Sequence, residues 1–120
     1  MTNHEIVRGL MDGFLFWRLT FDRCSFHKVD EVVKAIGSYN AFNPLEVSGL
    51  LKNLLEKSKD DVISIEVGRE YSPAVYVELR KDLAAALMKE FEGMGEAKPD
   101  ELDCKDSPIT DYAKVRAWWD

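Results

Sequence analysis

The sequence contains few of the residues from which enzymes and metalloproteins usually build their sites. It has two histidines and two cysteines in 120 residues. Neither His4 nor His27 has a cysteine or histidine at a zinc-ligand spacing. The seven glycines are scattered and form no phosphate-binding loop. We therefore expect no metal, no cofactor and no enzymatic activity.

Long hydrophobic runs are also missing. The apolar segment GFLFWRLTF is interrupted by Arg18 and is far shorter than the ~20 residues that span a bilayer. Cys24 and Cys104 lie eighty positions apart, which favours free thiols in a reducing compartment over a disulfide. Cys24 also lies three residues before His27, but no orienting third group accompanies this pair. We expect a cytoplasmic protein, in the host cytoplasm if a phage encodes it.

A surplus of basic residues is absent from every part of the chain. The net charge is −6. Residues 1–60 carry eight Lys or Arg and eight Asp or Glu, whereas residues 82–120 carry five and ten. A nucleic-acid binder usually presents a basic surface that displaces counterions from phosphates. The acidity of the C-terminal third therefore favours a protein partner with a basic surface over direct binding to nucleic acid.

Helical patterns open the chain. Thr2 and Glu5 form a capping box that predicts a helix start at Asn3. An apolar stripe at helical spacing follows, formed by Ile6, Val7, Leu10, Met11, Phe14, Trp17 and Phe21. The stripe favours one helix through residue 21, although the aromatic residues leave a strand over residues 14–21 open. A second, short helix is predicted by the spacing of Val29, Val32, Val33 and Ile36.

The clearest local signal begins the segment NPLEVSGLLKNLLEKS. Asn43 suits the N-cap of a helix, Pro44 its first position and Glu46 its third. A continuous apolar stripe follows, formed by Val47, Leu50, Leu51, Leu54 and Leu55. We therefore predict a helix over residues 44–58.

Alternating residues then predict a β-hairpin from DVISIEVG and AVYVELR, with Pro73 in the connection. KDLAAALMKEFEGMG predicts a helix that stops at Gly93 or Gly95. The polar segment 96–111 has the composition of an irregular acidic loop, and YAKVRAWWD stays open between helix and strand. We expect one domain, with residues 1–95 as an α+β unit and residues 96–120 as its acidic loop and Trp-anchored C-terminal segment.

The order helix, helix, capped helix, hairpin over residues 3–80 resembles a winged helix-turn-helix domain. The resemblance implies an α+β fold, a bundle of three to four helices with one β-hairpin, in which residues 44–58 read DNA and residues 68–74 form the wing. The DNA contacts would then be Lys52, Asn53, Lys57, Lys59 and Arg69. The outward face of this helix also carries Glu46 and Glu56, which a phosphate backbone repels. We therefore favour a core helix over a reading helix.

The function that these observations favour is a non-enzymatic protein-interaction module, a small inhibitor or adaptor of a basic, nucleic-acid-handling partner. In size, acidity and lack of motifs the chain resembles small phage-encoded inhibitors of host defence, anti-CRISPR proteins among them, which implies a class and no residues. The candidate partner contacts are Asp100, Glu101, Asp103, Asp106, Asp111 and Trp118. Candidate exposed apolar groups are Leu15, Phe16 and Leu19. Two alternatives stay open: a homodimeric winged-helix transcription regulator and an immunity protein against a basic toxin.

Overall fold

The computed structural model of the protein describes residues 2–13, 15–22 and 25–120. Within these residues, four α-helices span Asn3–Gly13 (α1), Phe26–Ile36 (α2), Pro44–Ser58 (α3) and Lys81–Glu92 (α4). Five strands span Phe16–Asp22 (β1), Val62–Glu70 (β2), Ser72–Arg80 (β3), Glu101–Asp106 (β4) and Tyr112–Trp118 (β5).

The strands form one antiparallel sheet in the order β1-β2-β3-β5-β4. The predicted α+β class is confirmed, but the predicted helical bundle with a single hairpin, in the manner of a winged helix, is wrong. The β2–β3 hairpin is part of a five-stranded sheet because β1 pairs with β2 and β5 pairs with β3. The backbone N–H and carbonyl groups on the outer sides of the hairpin, which a wing would expose, are therefore hydrogen-bonded to β1 and β5.

The single helix predicted through residue 21 is also wrong. Helix α1 ends at Gly13 and β1 begins at Phe16, while Phe14 lies outside the described residues. Glycine at positions 9 and 13 weakens a helix in this segment. The burial of β1 instead alternates with the period of a strand, and its more buried positions are Trp17, Leu19 and Phe21.

The acidic segment is not an irregular loop throughout. Glu101–Asp106 form β4, and Tyr112–Trp118, for which helix and strand were both open, form β5 between β3 and β4. Most side chains of β4 are exposed, so the sequence ELDCKD lacks the apolar alternation that predicts a strand. In β5 the alternation is present but consists of short side chains, with Ala113, Val115 and Ala117 buried.

The helices pack against one face of the sheet. Val67, Val75 and Val115 point to that face, are buried, and belong to one core together with side chains of α2, α3 and α4. The other face, which we call the open face, is covered by side chains of the sheet itself. Tyr76 is buried there under the guanidinium of Arg18, which lies 4.5 Å from the centre of its ring.

Helix α3 begins as predicted. The side-chain oxygen of Asn43 accepts hydrogen bonds from the N–H groups of Leu45 at 3.0 Å and Glu46 at 3.2 Å. The predicted stripe faces the core, with Leu50 half-buried and four members buried: Val47, Leu51, Leu54 and Leu55. The first turns of α3 therefore combine a satisfied cap with an apolar face.

A polar contact joins α3 to α2. The hydroxyl of Ser48, itself buried, donates to the carboxylate of Asp30, which also binds Lys34 at 3.0 Å. The hydrogen bond from Ser48 lowers the pKa of Asp30. Burial raises this pKa, but the contacts with Lys34 lower it further, so that the net shift is downward. The charged form of Asp30 is thus the one that the packed helices stabilise.

Replacing Asn43 with alanine removes the acceptor for two N–H groups at the start of α3. We expect the free energy of unfolding, measured by urea denaturation, to fall by about 1 kcal/mol. Asn53→Ala in the same helix is the matched control, because alanine has the higher helix propensity and no cap is lost. Equal losses in the two variants would contradict the capping role of Asn43.

Candidate protein-interaction site

The described residues expose six large apolar side chains, and four of them gather at one end of the sheet. Leu15, Phe16, Tyr39 and Tyr71 are 58%, 57%, 40% and 57% exposed. The rings of Phe16 and Tyr71 meet edge to face with their centres 4.7 Å apart, and the N–H of Tyr71 donates to the carbonyl of Leu15 at 2.9 Å. Tyr39 and Tyr71 line the same recess. We call these four residues the aromatic end.

Tyr71 forms the turn between β2 and β3. Because Glu70 pairs with Ser72, Tyr71 alone links the two strands, and it does so with a φ of 64°. This left-handed conformation is uncommon for a bulky residue. Besides the bond to Leu15, the turn is held by Arg69, whose Nε donates to the carbonyl of Tyr71 at 2.7 Å. The flanking strands therefore hold an exposed aromatic ring in a fixed position.

A narrow recess of about 30 Å³ lies beside this turn. Its walls come from β1, the end of α2, the segment after α2, and the β2–β3 hairpin with its turn: Trp17, Ile36, Tyr39, Gly68, Arg69, Tyr71 and Pro73. We call it the Trp17 recess. Among the described residues, the indole nitrogen of Trp17 is the one buried side-chain polar atom without a hydrogen-bond partner, and an unpaired buried donor costs about 1–3 kcal/mol. The unpaired indole N–H of Trp17 thus belongs to a residue that lines this recess.

Gly68 is required by the close contact between β1 and β2. A Cβ atom at this position would lie 2.2 Å from the carbonyl oxygen of Trp17 and 2.8 Å from Cγ of Arg18. The missing side chain leaves room for Arg18 to lie across the open face, where it reaches Glu66 at 3.2 Å and covers Tyr76. Gly68 therefore shapes both the recess and the open face beside it.

Carboxylates border the aromatic end on the side of β4 and β5. We call Glu70, Asp100, Glu101 and Asp103 the acidic rim. Arg116 binds three of them, with nitrogen-to-oxygen distances of 2.8 Å to Glu70, 3.2 Å to Glu101 and 2.9 Å to Asp103. Burial opposes the charged form of Arg116, but its bonds to these carboxylates outweigh burial and raise its pKa. Asp100 precedes β4 and accepts a hydrogen bond from the N–H of Asp120 at 2.8 Å. Three carboxylates around one arginine leave a negative surplus.

The predicted acidic contacts divide between the two ends of the sheet. Asp100, Glu101 and Asp103 belong to the acidic rim, and the indole of Trp118 reaches the same place by donating to the carbonyl of Glu70 at 2.9 Å. Asp106 and Asp111 lie at the opposite end. There the ammonium of Lys81 binds Asp106 at 3.2 Å, and its backbone N–H donates to the carbonyl of Asp111 at 2.9 Å. The predicted residues therefore form two separate groups.

Two of the four residues of the aromatic end were predicted from the sequence as exposed apolar groups. Leu15 and Phe16 are exposed as expected, although they precede and begin β1 instead of extending a helix, while Leu19 is half-buried. Tyr39 and Tyr71 were not predicted because they lie in separate connections that only the folded chain brings together. The signal for Tyr71 was weak, since the segment REYSP has no glycine or asparagine to mark a left-handed turn.

The residues predicted to contact DNA do not converge on one surface. Lys52, Asn53 and Lys57 lie on α3, whereas the side chain of Lys59 lies outside what the structure describes. Arg69 is near the end of β2, seven residues beyond the start of that strand and thus about 23 Å along it. Helix α3 leads into the start of β2, so Arg69 lies far from Lys57.

The remaining chemical candidates are isolated. His4 and His27 are exposed on different helices, and Cys24 lies outside the described residues. Cys104 is exposed on β4, where desolvation by neighbouring atoms and then the charge of Asp106 raise the pKa of its thiol. In the described part of the chain, no three His, Cys, Asp or Glu residues are grouped so that they could hold a metal ion. No helix described here combines the length and apolarity needed to cross a membrane.

The chain matches no protein-family model, no curated protein and no solved structure. Its function is therefore inferred from its own side chains and contacts.

Gly68→Ala tests the close contact at the recess. We expect the free energy of unfolding to fall by about 1–3 kcal/mol, because the new methyl group meets the backbone of β1 and not a side chain that can move aside. Gly49→Ala, at an exposed position of α3 with open space around it, is the control. It should raise stability by about 0.5–1 kcal/mol. Denaturant unfolding of both variants measures these changes in the free energy of unfolding, which should have opposite signs. A Gly68→Ala variant as stable as wild type would contradict the close contact between β1 and β2.

Proposed function

We propose that this protein is a non-enzymatic interaction module that binds another protein through the aromatic end. The observation that carries the proposal is the clustering of four exposed apolar side chains at one end of the sheet, Leu15, Phe16, Tyr39 and Tyr71. Two of them, Tyr39 and Tyr71, line the Trp17 recess. Exposed apolar patches on folded proteins usually mark sites of association. Aromatic residues are enriched at the centres of such interfaces, where tyrosine supplies much of the binding energy.

The rigidity of Tyr71 supports the same proposal. The backbone N–H of Tyr71 donates to the carbonyl of Leu15, and its carbonyl accepts from the side-chain Nε of Arg69. Its ring also meets the ring of Phe16 edge to face. A side chain that is already ordered loses little conformational entropy on binding. Glycine would adopt this left-handed backbone conformation without strain. The presence of tyrosine at this turn therefore supports a role for its exposed ring in contacting a partner.

The recess and the rim indicate the chemistry of the partner. The recess is narrow and mostly apolar, which suits one small aliphatic side chain inserted between Tyr39 and Tyr71. The acidic rim next to it suits lysine or arginine side chains around that anchor, in the usual arrangement of an apolar centre with a polar border. The net charge of −6 attracts such a partner over a longer range.

The partner in this proposal is thus a protein with a basic surface. Proteins that handle nucleic acids commonly carry such surfaces, and a small acidic module bound to one acts as an inhibitor or an adaptor. The acidic residues predicted as contacts then have two roles. Asp100, Glu101 and Asp103 border the contact, whereas Asp106 and Asp111 contribute only to the overall charge.

The proposal is tested by capture followed by a single substitution. The immobilised wild-type protein is used to retain proteins from a lysate of its source cell, and the retained proteins are identified by mass spectrometry. The binding of the purified partner is then compared between wild type and Tyr71→Asn, since asparagine tolerates the left-handed turn and lacks the ring. We expect Tyr71→Asn to bind at least about tenfold more weakly, a loss of about 1.4 kcal/mol.

The matched control is Ile109→Asn, which removes an exposed apolar side chain between β4 and β5, at the other end of the sheet. This variant should bind as wild type does, and binding of wild type should weaken as salt is raised. A captured partner that binds Tyr71→Asn and wild type equally well would contradict the proposed site.

A further inference from the structure

The most exposed large apolar side chain of the described residues lies outside the aromatic end. Leu45, in the first turn of α3, is 70% exposed. It lines a hollow of about 490 Å³ between the first half of α3 and the end of α4. Gly49 and Leu50 of α3 and Met94, just after α4, line the same hollow. An apolar surface is therefore open between these two helices.

A second hollow, of about 140 Å³, continues between the same helices. It is lined by Leu54 and Lys57 from the later turns of α3 and by Leu83 and Leu87 from the earlier turns of α4. Glu90 lines both hollows. The two helices therefore run antiparallel, with the two hollows end to end along them. We call the two hollows together the interhelical groove.

The dimensions and chemistry of the groove suit an α-helix better than an extended chain. Its lining residues on α3 run from Leu45 to Ser58, which is about 20 Å at 1.5 Å per residue. A helix of about 13 residues has the same length. The backbone groups inside α3 and α4 are already bonded within each helix, so they offer an extended segment no hydrogen bonds. A helix satisfies its own backbone and needs only an apolar face against the groove.

Gly49 leaves room for such a helix to approach. It is exposed in α3, and a Cβ atom at this position would have no neighbouring atom within 4 Å. Glycine weakens the interior of a helix relative to alanine. Its use here is explained if another backbone comes close to this turn of α3, since glycine permits such an approach.

Carboxylates dominate the end of the groove at the start of α3. Beyond Met94 the surface continues into a third hollow, between the end of α4 and the start of β4. Among the described residues, five carboxylates and one ammonium group line the hollows at this end: Glu46, Glu90, Glu92, Glu96 and Asp100 against Lys98. Asp100 also belongs to the acidic rim. A basic occupant would therefore be attracted to this end of the groove.

The contacts inside the protein leave most of these carboxylates available. In the part of the chain that the structure describes, four of them take part in no hydrogen bond or ion pair: Glu46, Glu90, Glu92 and Glu96. Glu90 and Glu92 also lie in the last turn of α4, where a negative charge opposes the helix dipole. These two charges therefore weaken α4 instead of stabilising it, and a basic partner would offset that effect.

We propose that the interhelical groove binds an amphipathic helix of another protein. Its apolar face lies on Leu45, Leu50 and Met94, and its lysines or arginines lie beside Glu46 and Glu90. The charge of the groove favours this occupant. A second copy of this protein, bound in a two-fold contact, would bring the same carboxylates against each other. An uncharged apolar helix would leave them unpaired, whereas basic side chains form charge-assisted hydrogen bonds with them.

This inference goes beyond the proposed function and does not rest on it. No residue of the aromatic end is among those that line the groove. A partner can therefore occupy one surface without the other, and each surface has its own diagnostic substitution.

Peptide display tests the inference with a defined probe. Random peptides of about 16 residues, displayed on phage, are selected on the immobilised wild-type protein. We expect enriched peptides with apolar residues at positions i, i+3 or i+4 and i+7, flanked by lysine or arginine. Enrichment of acidic peptides, of peptides without this spacing, or of none would overturn the inference.

Gly49→Arg tests where such a peptide binds. An enriched peptide is synthesised with a fluorescent label, and its affinity is measured by anisotropy. A long charged side chain at position 49 fills the groove, so we expect binding to weaken at least about tenfold. Gly9→Arg is the matched control, because Gly9 is also exposed within a helix and has open space around it. This control should bind the peptide as wild type does.

Glu90→Lys tests the contribution of charge. We expect it to weaken peptide binding at least about tenfold, since it places a like charge beside the basic residues of the peptide. Glu56→Lys, at an exposed position of α3 that lines neither hollow, changes the net charge equally and is the control. Equal losses in the two variants would overturn the inference, because overall charge and not the groove would then determine binding.

Tyr71→Asn separates this inference from the proposed function. It should bind the peptide as wild type does, and circular dichroism confirms that every variant is folded before it is compared. Peptides that bind Gly49→Arg and wild type equally well would overturn the inference. If those peptides lose affinity for Tyr71→Asn, they bind at the aromatic end, and the proposed function stands while this inference fails.

Discussion

The burial of Trp119 is the contact on which the rest of the structure depends. Its ring is fully buried against Phe42 and Phe91, with centres 5.1 Å and 6.0 Å away. Its indole donates to the carbonyl of Ala97 at 2.8 Å. These partners belong to the segment before α3, to α4 and to the segment before β4, so one side chain next to β5 joins three separate parts of the chain.

The position of β5 in turn determines the candidate site. The N–H of Trp119 donates to the carbonyl of Pro73 at 3.0 Å, which fixes the end of β5 beside the start of β3. Arg116 and Trp118 are thereby brought to Glu70, one residue before the turn at Tyr71. The aromatic end and the acidic rim thus lie side by side because β5 is inserted between β3 and β4, although their residues are far apart in the sequence.

The parts of the fold that the sequence predicted are those whose information lies within a few residues. The cap at Asn43 and the alternation of β2 and β3 are local, and both were recognised. ELDCKD becomes a strand only because β5 supplies its hydrogen bonds, and FWRLTFD fits a helical stripe as well as a strand until β2 pairs with it. The same holds for the candidate site. The acidity of the C-terminal third could be predicted from the composition. The separation of the acidic residues between the two ends of the sheet, and the proximity of Tyr39 to Tyr71, depend on how the strands pair and could not be predicted.

The central claim is that a protein partner binds at the aromatic end, against the Trp17 recess. The indole N–H signals of the three tryptophans report on it directly in a ¹H–¹⁵N spectrum of the labelled protein, since Trp17 has no acceptor whereas Trp118 and Trp119 donate to backbone carbonyls. Addition of the captured partner should shift the Trp17 signal and leave that of the buried Trp119 in place. A partner that binds while the Trp17 signal stays unchanged would contradict the account.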